Sequence, residues 1–277
     1  MSYAMFRCCV TNKSLQAYEA AADEVVNALN IKAIDIREFG CCGYPLRNVD
    51  YKASMYSAAR NFALAGKAGR DLLTVCNCCF GSLKQAKLLL SRDEALMQEV
   101  PSKLAAEGLE HAPEVKVKHL LEVLYHDLGP NNLAQAFSQS LQGLKVVMHY
   151  GCHLLRPSNV LDFDNPFDPS ICEELVTATG AECLDWEKRL DCCGAPLGGI
   201  FDDLANSMAE QKLEAASQSG AHCLLAVCPF CQLQLNRVAQ AMSERGQTTP
   251  PVFSITQLFT AALGKDSELR KLSAMSR

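Results

Sequence analysis

Cys192-Cys193-Gly194-Ala195-Pro196-Leu197 has a near-copy upstream, Cys41-Cys42-Gly43-Tyr44-Pro45-Leu46, and each copy sits inside a matching frame of cysteines. Cys152 lies 40 positions before Cys192, and Cys228-Pro229-Phe230-Cys231 begins 35 positions after Cys193. In the first frame Cys9 lies 32 positions before Cys41, and Cys76-Asn77-Cys78-Cys79 begins 34 positions after Cys42. The offsets between corresponding cysteines (9 to 152, 41 to 192, 42 to 193, 76 to 228, 79 to 231) are 143, 151, 151, 152 and 152. So steady a spacing marks one cysteine-bearing unit used twice.

The segments around the frames alternate in type. Tyr3–Val10 is a short apolar run meeting Cys8 and Cys9, and residues 14–29 carry Leu15, Tyr18, Ala22, Val25, Val26 and Leu29 at helical spacing behind a Ser14 cap. Ile31–Ile36 alternates as a half-buried strand, Tyr51–Ala68 is an Ala-rich helix, and Leu72–Val75 is a strand running into Cys76. Residues 80–108 have helical composition with a break expected at Pro101, and Val115–Leu128 presents an apolar face closed by Gly129. The second half repeats the plan: strand Lys145–Tyr150 meets Cys152, helix Ile171–Thr179 stops at Gly180, and strand Leu224–Val227 meets Cys228. Its last helix, Ile255–Leu263 before Gly264, resembles the one closed by Gly129, and Asp162–Pro169 is an insertion loop in the Cys152–Cys192 interval. Strands alternating with helices imply parallel sheets with ligands beyond the strands' carboxyl ends. The expected fold is therefore α/β, two repeated halves (residues 1–143 and 144–277) with parallel sheets related by a pseudo-twofold.

Composition narrows the function classes. A net charge of −5 without a basic cluster argues against nucleic acid, which needs a positive face for its phosphates. The apolar runs are too short to cross a bilayer and the N-terminus lacks the pattern of a secretory signal, so a cytoplasmic protein with no direct membrane insertion is expected. In that compartment 15 cysteines point to metal or redox chemistry rather than a disulfide framework. Cys172, Cys183 and Cys223 fall in apolar patterns and are read as small hydrophobic filler.

A single C-x-x-C is shared by zinc sites, dithiol oxidoreductases and iron–sulfur ligands. Structural zinc takes four ligands, which leaves one of five cysteines over in each half, and no histidine occupies a repeated ligand position. A thiol–disulfide exchanger does not explain an adjacent pair used twice. Thiolates suit iron–sulfur clusters best, yet adjacent cysteines reach two corners of an ordinary cubane awkwardly, so the spacing asks for an unusual cluster. Cys8 and Cys78 stand as spares: on a strand Cys8 faces away from Cys9, and Cys78 lies inside the x-x gap.

The two frames, with Gly151-Cys152-His153-Leu154-Leu155-Arg156-Pro157 and Cys228-Pro229-Phe230-Cys231, resemble the B subunit of heterodisulfide reductase over nearly the whole chain. The resemblance implies two noncubane [4Fe-4S] clusters facing each other across a disulfide substrate. Their ligands would be Cys9, Cys41, Cys42, Cys76 and Cys79 in one half, and Cys152, Cys192, Cys193, Cys228 and Cys231 in the other. His153 and Arg156 become candidates for proton donation and for holding an anionic substrate group, against the plainer reading of a helix-start histidine and a solvated arginine. The sequence holds no G-x-G-x-x-G fingerprint and no ferredoxin segment, so electrons are expected from other proteins. By resemblance these are an HdrC-like ferredoxin-type protein and an HdrA-like flavin protein, the usual companions in heterodisulfide reductase complexes. Two alternatives stay open: an electron-transfer component of a lactate, glycolate or succinate oxidising complex, and a non-catalytic scaffold with structural metal.

Overall fold

Two four-stranded parallel sheets, in the orders β2-β1-β3-β4 and β6-β5-β7-β8, repeat one topology along the chain. The computed structural model describes residues 2–11, 15–265 and 268–275, so the Ser14 cap lies outside the described residues. In the first half β1 (Ser2–Phe6) is flanked by β2 (Lys32–Asp35) and β3 (Asp71–Thr74), with β4 (Val117–His119) at the far edge. The corresponding strands are β5 (Lys145–His149), β6 (Glu182–Cys183), β7 (Cys223–Ala226) and β8 (Val252–Ser254). Strands β1, β3, β5 and β7 are apolar and nearly wholly buried, as strands covered on both faces must be. The alternation expected at Ile31–Ile36 is only partial, because β2 is an edge strand and Ile34 is exposed.

The helices follow the same repeat. In the first half they are α1 (Gln16–Ala28), α2 (Tyr51–Lys67), α3 (Asn77–Leu90) and α4 (Glu94–Ala106), followed by α5 (Leu120–Glu122, continuing as the wider turns of Val123–Leu128) and α6 (Pro130–Ala136). The second half contributes α7 (Cys152–Leu155), α8 (Ser158–Leu161), α9 (Ile171–Thr177), α10 (Asp202–Gln218), α11 (Pro229–Glu244), α12 (Ile255–Ala262) and α13 (Glu268–Met275). Helices α2 and α10 are both 17 residues long and start at the offset of 151 that separates the two cysteine pairs. Helices α5 and α12 also correspond: each starts with a capping box, His119 with Glu122 in one and Ser254 with Gln257 in the other.

Two expectations need correction. The break in residues 80–108 falls at Ser91–Asp93, where Asp93 caps α4 by accepting the Leu96 N–H. Pro101 lies inside α4, and it is tolerated because it sits on the solvent-exposed face, where water can meet the carbonyl it leaves without a donor. The apolar face from Val115 is not one helix either: Val117–His119 pairs with β3 as a strand, and helix begins at Leu120.

The halves interlock. Helix α1 packs on α12 with a Lys265–Glu24 ion pair at 3.0 Å, and α3 packs on α7 and α8. The Tyr18 hydroxyl lies 2.8 Å from the Val75 carbonyl oxygen and 2.6 Å from that of Val227, two positions related by the repeat, so one buried side chain spans the junction.

Candidate metal centre

Each half delivers its thiols from the ends of its two central strands. After β1 come Cys8 and Cys9, and after β3 come Cys76 and Cys79; after β5 comes Cys152, and after β7 come Cys228 and Cys231. Cys76 and Cys228 are the extended N-cap residues of α3 and α11, with φ near −115° and −114°. Their partners three residues on lie on the same helical face in the first turn, where the helix dipole favours a thiolate.

The adjacent pairs come from the loops after the edge strands. Gly43 has φ +89° and Gly194 φ +79°; a Cβ would fall 2.6 Å from the Ser54 carbonyl oxygen in one case and 2.4 Å from that of Ala205 in the other. Glycine is thus required twice over at each turn, by conformation and by space. In the first half the loop is tied to α2. Ser54 Oγ donates to the Gly43 carbonyl (2.9 Å), Ser57 Oγ and Asn61 Nδ2 donate to that of Cys41 (2.6 and 2.9 Å), and Asn61 Oδ1 accepts the Gly40 N–H (2.9 Å).

These elements bring together all ten frame cysteines, and all are free thiols. In the second half thiol–thiol interactions run from Cys152 to Cys192, to Cys193, to Cys231 and to Cys228. In the first they run from Cys9 to Cys41, to Cys42 and to Cys79. Interaction with the neighbouring thiols holds Cys41 and Cys192 well below the ordinary thiol range and pushes Cys42 and Cys193 up. The Gly194 N–H also donates to Cys192 Sγ at 3.4 Å.

Both spare cysteines join the first group. Cys8 Sγ lies within 4.8 Å of those of Cys76 and Cys79, whereas Cys9 is exposed. The strand ends at Phe6, so the alternation expected to turn Cys8 away does not reach it. Cys78 stands at the junction of the halves, 4.0 Å from Cys228 Sγ and 3.4 Å from His153 Nδ1, and Cys76, Cys78 and Cys228 all lie within 4.8 Å of one another. A small crevice there is lined by Cys78, Cys152, His153, Pro196, Phe230 and Cys231.

His153 is half-buried, its ring edge-on to Tyr44 at 5.0 Å between centroids, and burial lowers its pKa. Arg156 is exposed and does not line the crevice; its backbone N–H, donating to the Cys152 carbonyl at 3.0 Å, ties it to the site. Cys172 and Cys223 are buried in the core and Cys183 is half-buried on β6, all outside the thiol groups.

Two further residues were not singled out from the sequence. His149 is fully buried, its two ring nitrogens have no hydrogen-bond partner among the described residues, and it lies within 4.8 Å of the thiols of Cys193 and Cys231. Lys212 is buried behind the same group. The repeat itself holds the signal, since an offset of 143 aligns His149 with Phe6 and one of 151 aligns Lys212 with Asn61.

Converging soft donors that form no disulfide suit a thiophilic, multinuclear metal group better than a single zinc ion, which would leave donors over. No helix among the described residues is long and apolar enough to cross a membrane.

The profile of the CCG family, described as a cysteine-rich domain, matches residues 3–84 and 146–236. The B subunit of the ferredoxin/F420H2-dependent CoB-CoM heterodisulfide reductase of Methanosarcina acetivorans is 36% identical over 94% of this chain and 88% of its own. The 8-methylmenaquinol:fumarate reductase membrane anchor subunit of Wolinella succinogenes is 32% identical over 95% of this chain and 92% of its own. The crystal structure of a hypothetical protein from Helicobacter pylori superposes with a TM-score of 0.78 at 16% identity, covering 98% of this chain and 50% of that one, which supports the fold alone. By the repeated motif, the convergent thiols and these similarities, the chain belongs to the CCG cysteine-rich family, as an iron–sulfur protein of the type that forms the B subunit of heterodisulfide reductase.

Proposed function

We propose that this chain is the part of a reductase complex in which a disulfide is opened, or in reverse formed, between the two halves. The observation that carries the reading is the meeting of the two thiol groups at the crevice, where Cys78 of one half lies 4.0 Å from Cys228 of the other. A substrate that reaches the mouth of this crevice touches both halves at once. Two noncubane [4Fe-4S] clusters are proposed, one on Cys9, Cys41, Cys42, Cys76 and Cys79 and one on Cys152, Cys192, Cys193, Cys228 and Cys231. When bound, they supply the two electrons that, with two protons, convert R–S–S–R′ into RSH and R′SH.

The protein's own residues bind, shield and move protons. Pro196 and Phe230 line the crevice and keep water from it. His153, whose buried ring favours the neutral form, is placed to relay a proton, releasing its N–H proton to a departing thiolate as its other ring nitrogen takes one up from solvent. Arg156, on the exposed rim, is proposed to draw in an anionic substrate rather than to take part in the chemistry. Electrons arrive through a ferredoxin-type partner served by a flavin protein, and the chain works in the cytoplasm, meeting any membrane through its partners.

Anaerobically purified protein should hold about eight iron atoms with matching sulfide, and should reduce disulfides when supplied with a low-potential electron donor. Stoichiometric zinc with negligible iron would sink the reading. His153→Gln should keep the iron and slow turnover by about 10²-fold. Similarity to the Wolinella protein favours a second reading, transfer of electrons to a partner that reduces or oxidises a carbon substrate. Full iron with no disulfide turnover, restored activity appearing only with a flavin dehydrogenase partner, would select it.

A further inference from the structure

The two thiol groups are alike in their cysteines and unlike in what stands behind them. Phe6 of the first half occupies the place of His149 in the second: Phe6 pairs with Thr74 and His149 with Ala226, each as the last pair of its central strands. Asn61 and Lys212 are likewise equivalent, both in the eleventh position of a 17-residue helix. In the first half the amide is spent on the backbone at Gly40 and Cys41. In the second the ammonium is buried. It donates to the Lys188 carbonyl oxygen, lies 5.0 Å from the Trp186 ring centroid, and makes no ion pair with a carboxylate among the described residues. A buried cation without a counter-charge is costly.

The groups that face it and can carry negative charge are Asp191 and the thiols of Cys193, Cys231 and Cys192, which become thiolates on binding metal. Burial pushes its pKa down to about 8, and an anionic group held by those thiolates would favour the charged form again. His149 adds a neutral donor. Neutral imidazole carries one N–H, and both its nitrogens are without partners while Cys193 and Cys231 lie within reach. On the first side the balance is reversed, since Cys8 brings a further thiol close to Cys76 and Cys79.

Building on the iron–sulfur reading, we infer that Lys212 and His149 are positioning residues that make the second-half site the more easily reduced of the two, so that electrons pass from the first half to the second. Gaining an electron adds one negative charge to the bound group. A buried ammonium and an N–H donor stabilise that form, whereas an apolar ring, a committed amide and an extra thiol do not.

The test is a redox titration of the anaerobically purified holoprotein followed by electron paramagnetic resonance, with iron and sulfide measured on each sample. The wild type should show two transitions, and Cys192→Ser with Cys193→Ser should leave only the lower. Lys212→Met should move the higher transition to more negative potential with iron retained, so that the reduced fraction at a fixed potential, set against the oxidised, drops roughly tenfold. His149→Phe, which installs the residue of the first half, should move it the same way, and His149→Gln, which keeps an N–H, should restore most of the difference. Where the Lys212 variant does not accumulate, the His149 pair carries the same comparison. Full iron with both transitions unmoved in Lys212→Met and His149→Phe overturns the inference, and so does a shift confined to the transition that survives in the Cys192/Cys193 variant. A wild-type protein without iron overturns the underlying reading instead, and that result appears before any potential is measured.

Discussion

At and just after the end of β1 the first half carries Phe6, Arg7, Cys8 and Cys9, and at and just after the end of β5 the second carries His149, Tyr150, Gly151 and Cys152. The register of the strands makes Cys9 the counterpart of Cys152 and leaves Cys8 opposite a glycine. One half thus has a surplus donor where the other has none, and one has a ring nitrogen and a buried ammonium where the other has a phenyl ring and a tethered amide. The repeat supplies two matching frames, and differences at positions behind the cysteines make them unequal. The difference lies in the layer behind the thiols, where charge and hydrogen bonds set how tightly each charge state of a bound group is held.

The largest test of the comparison is removal of one frame at a time. Replacing Cys192 and Cys193 together by Ser should cost about half the bound iron, and so should replacing Cys41 and Cys42, whereas Cys172→Ser should cost none. Cys9→Ser should lower the iron of the first half while Cys8→Ala keeps it, if Cys9 is the true equivalent of Cys152. The opposite pattern in a metal analysis would hand that corner to Cys8, the thiol nearer to Cys76 and Cys79.

Next in size is the turn itself. Gly194→Ala meets both a left-handed backbone and the Ala205 carbonyl oxygen at 2.4 Å, and should cost about 3 kcal/mol or more in a denaturant unfolding series. Gly199→Ala, at φ +84° with nothing within 4 Å, should cost only about 1 kcal/mol. Equal costs would mean that the loop does not press on α10.

The capping boxes differ in a way that pH can read. His119 caps α5 by accepting the Leu121 N–H on Nδ1, and burial drops its pKa to about 3; Ser254 does the equivalent work in α12 and does not titrate. A histidine held neutral in the fold contributes stability above its unfolded pKa of about 6.5 and loses it as pH falls toward the folded value. Wild-type stability should therefore fall by about 1.4 kcal/mol per pH unit through this group between about pH 6 and 4. His119→Ser should flatten that part of the profile, and an unchanged acid slope would place the sensitivity elsewhere.

The smallest expected effect lies where the halves meet. Tyr18→Phe removes the hydroxyl that reaches the carbonyls of Val75 and Val227, and should cost about 1–3 kcal/mol by thermal unfolding with the iron content kept. Loss of iron from both halves would show that this contact sets the distance between the two sites.

The sequence by itself determined the duplication, the cysteine frames and the strand–helix alternation, because strand–turn–helix order is local and a repeated spacing survives as a countable offset. It also determined the need for glycine in each CCG turn. It misplaced the break near Pro101 and ran a helix through Val117, since a proline's cost depends on the face it occupies and a short edge strand exists only when a neighbouring strand pairs with it. What only the tertiary structure decided was which side chains reach the thiols. Cys8 turns inward because β1 stops two residues before it, Cys78 meets Cys228 because α3 packs against the second half, and His149 and Lys212 approach Cys193 and Cys231 from a strand and a helix that share no sequence neighbourhood with them. Those encounters depend on packing between distant segments: the repeat offsets mark His149 and Lys212 as positions where the halves differ, but not which thiols they meet.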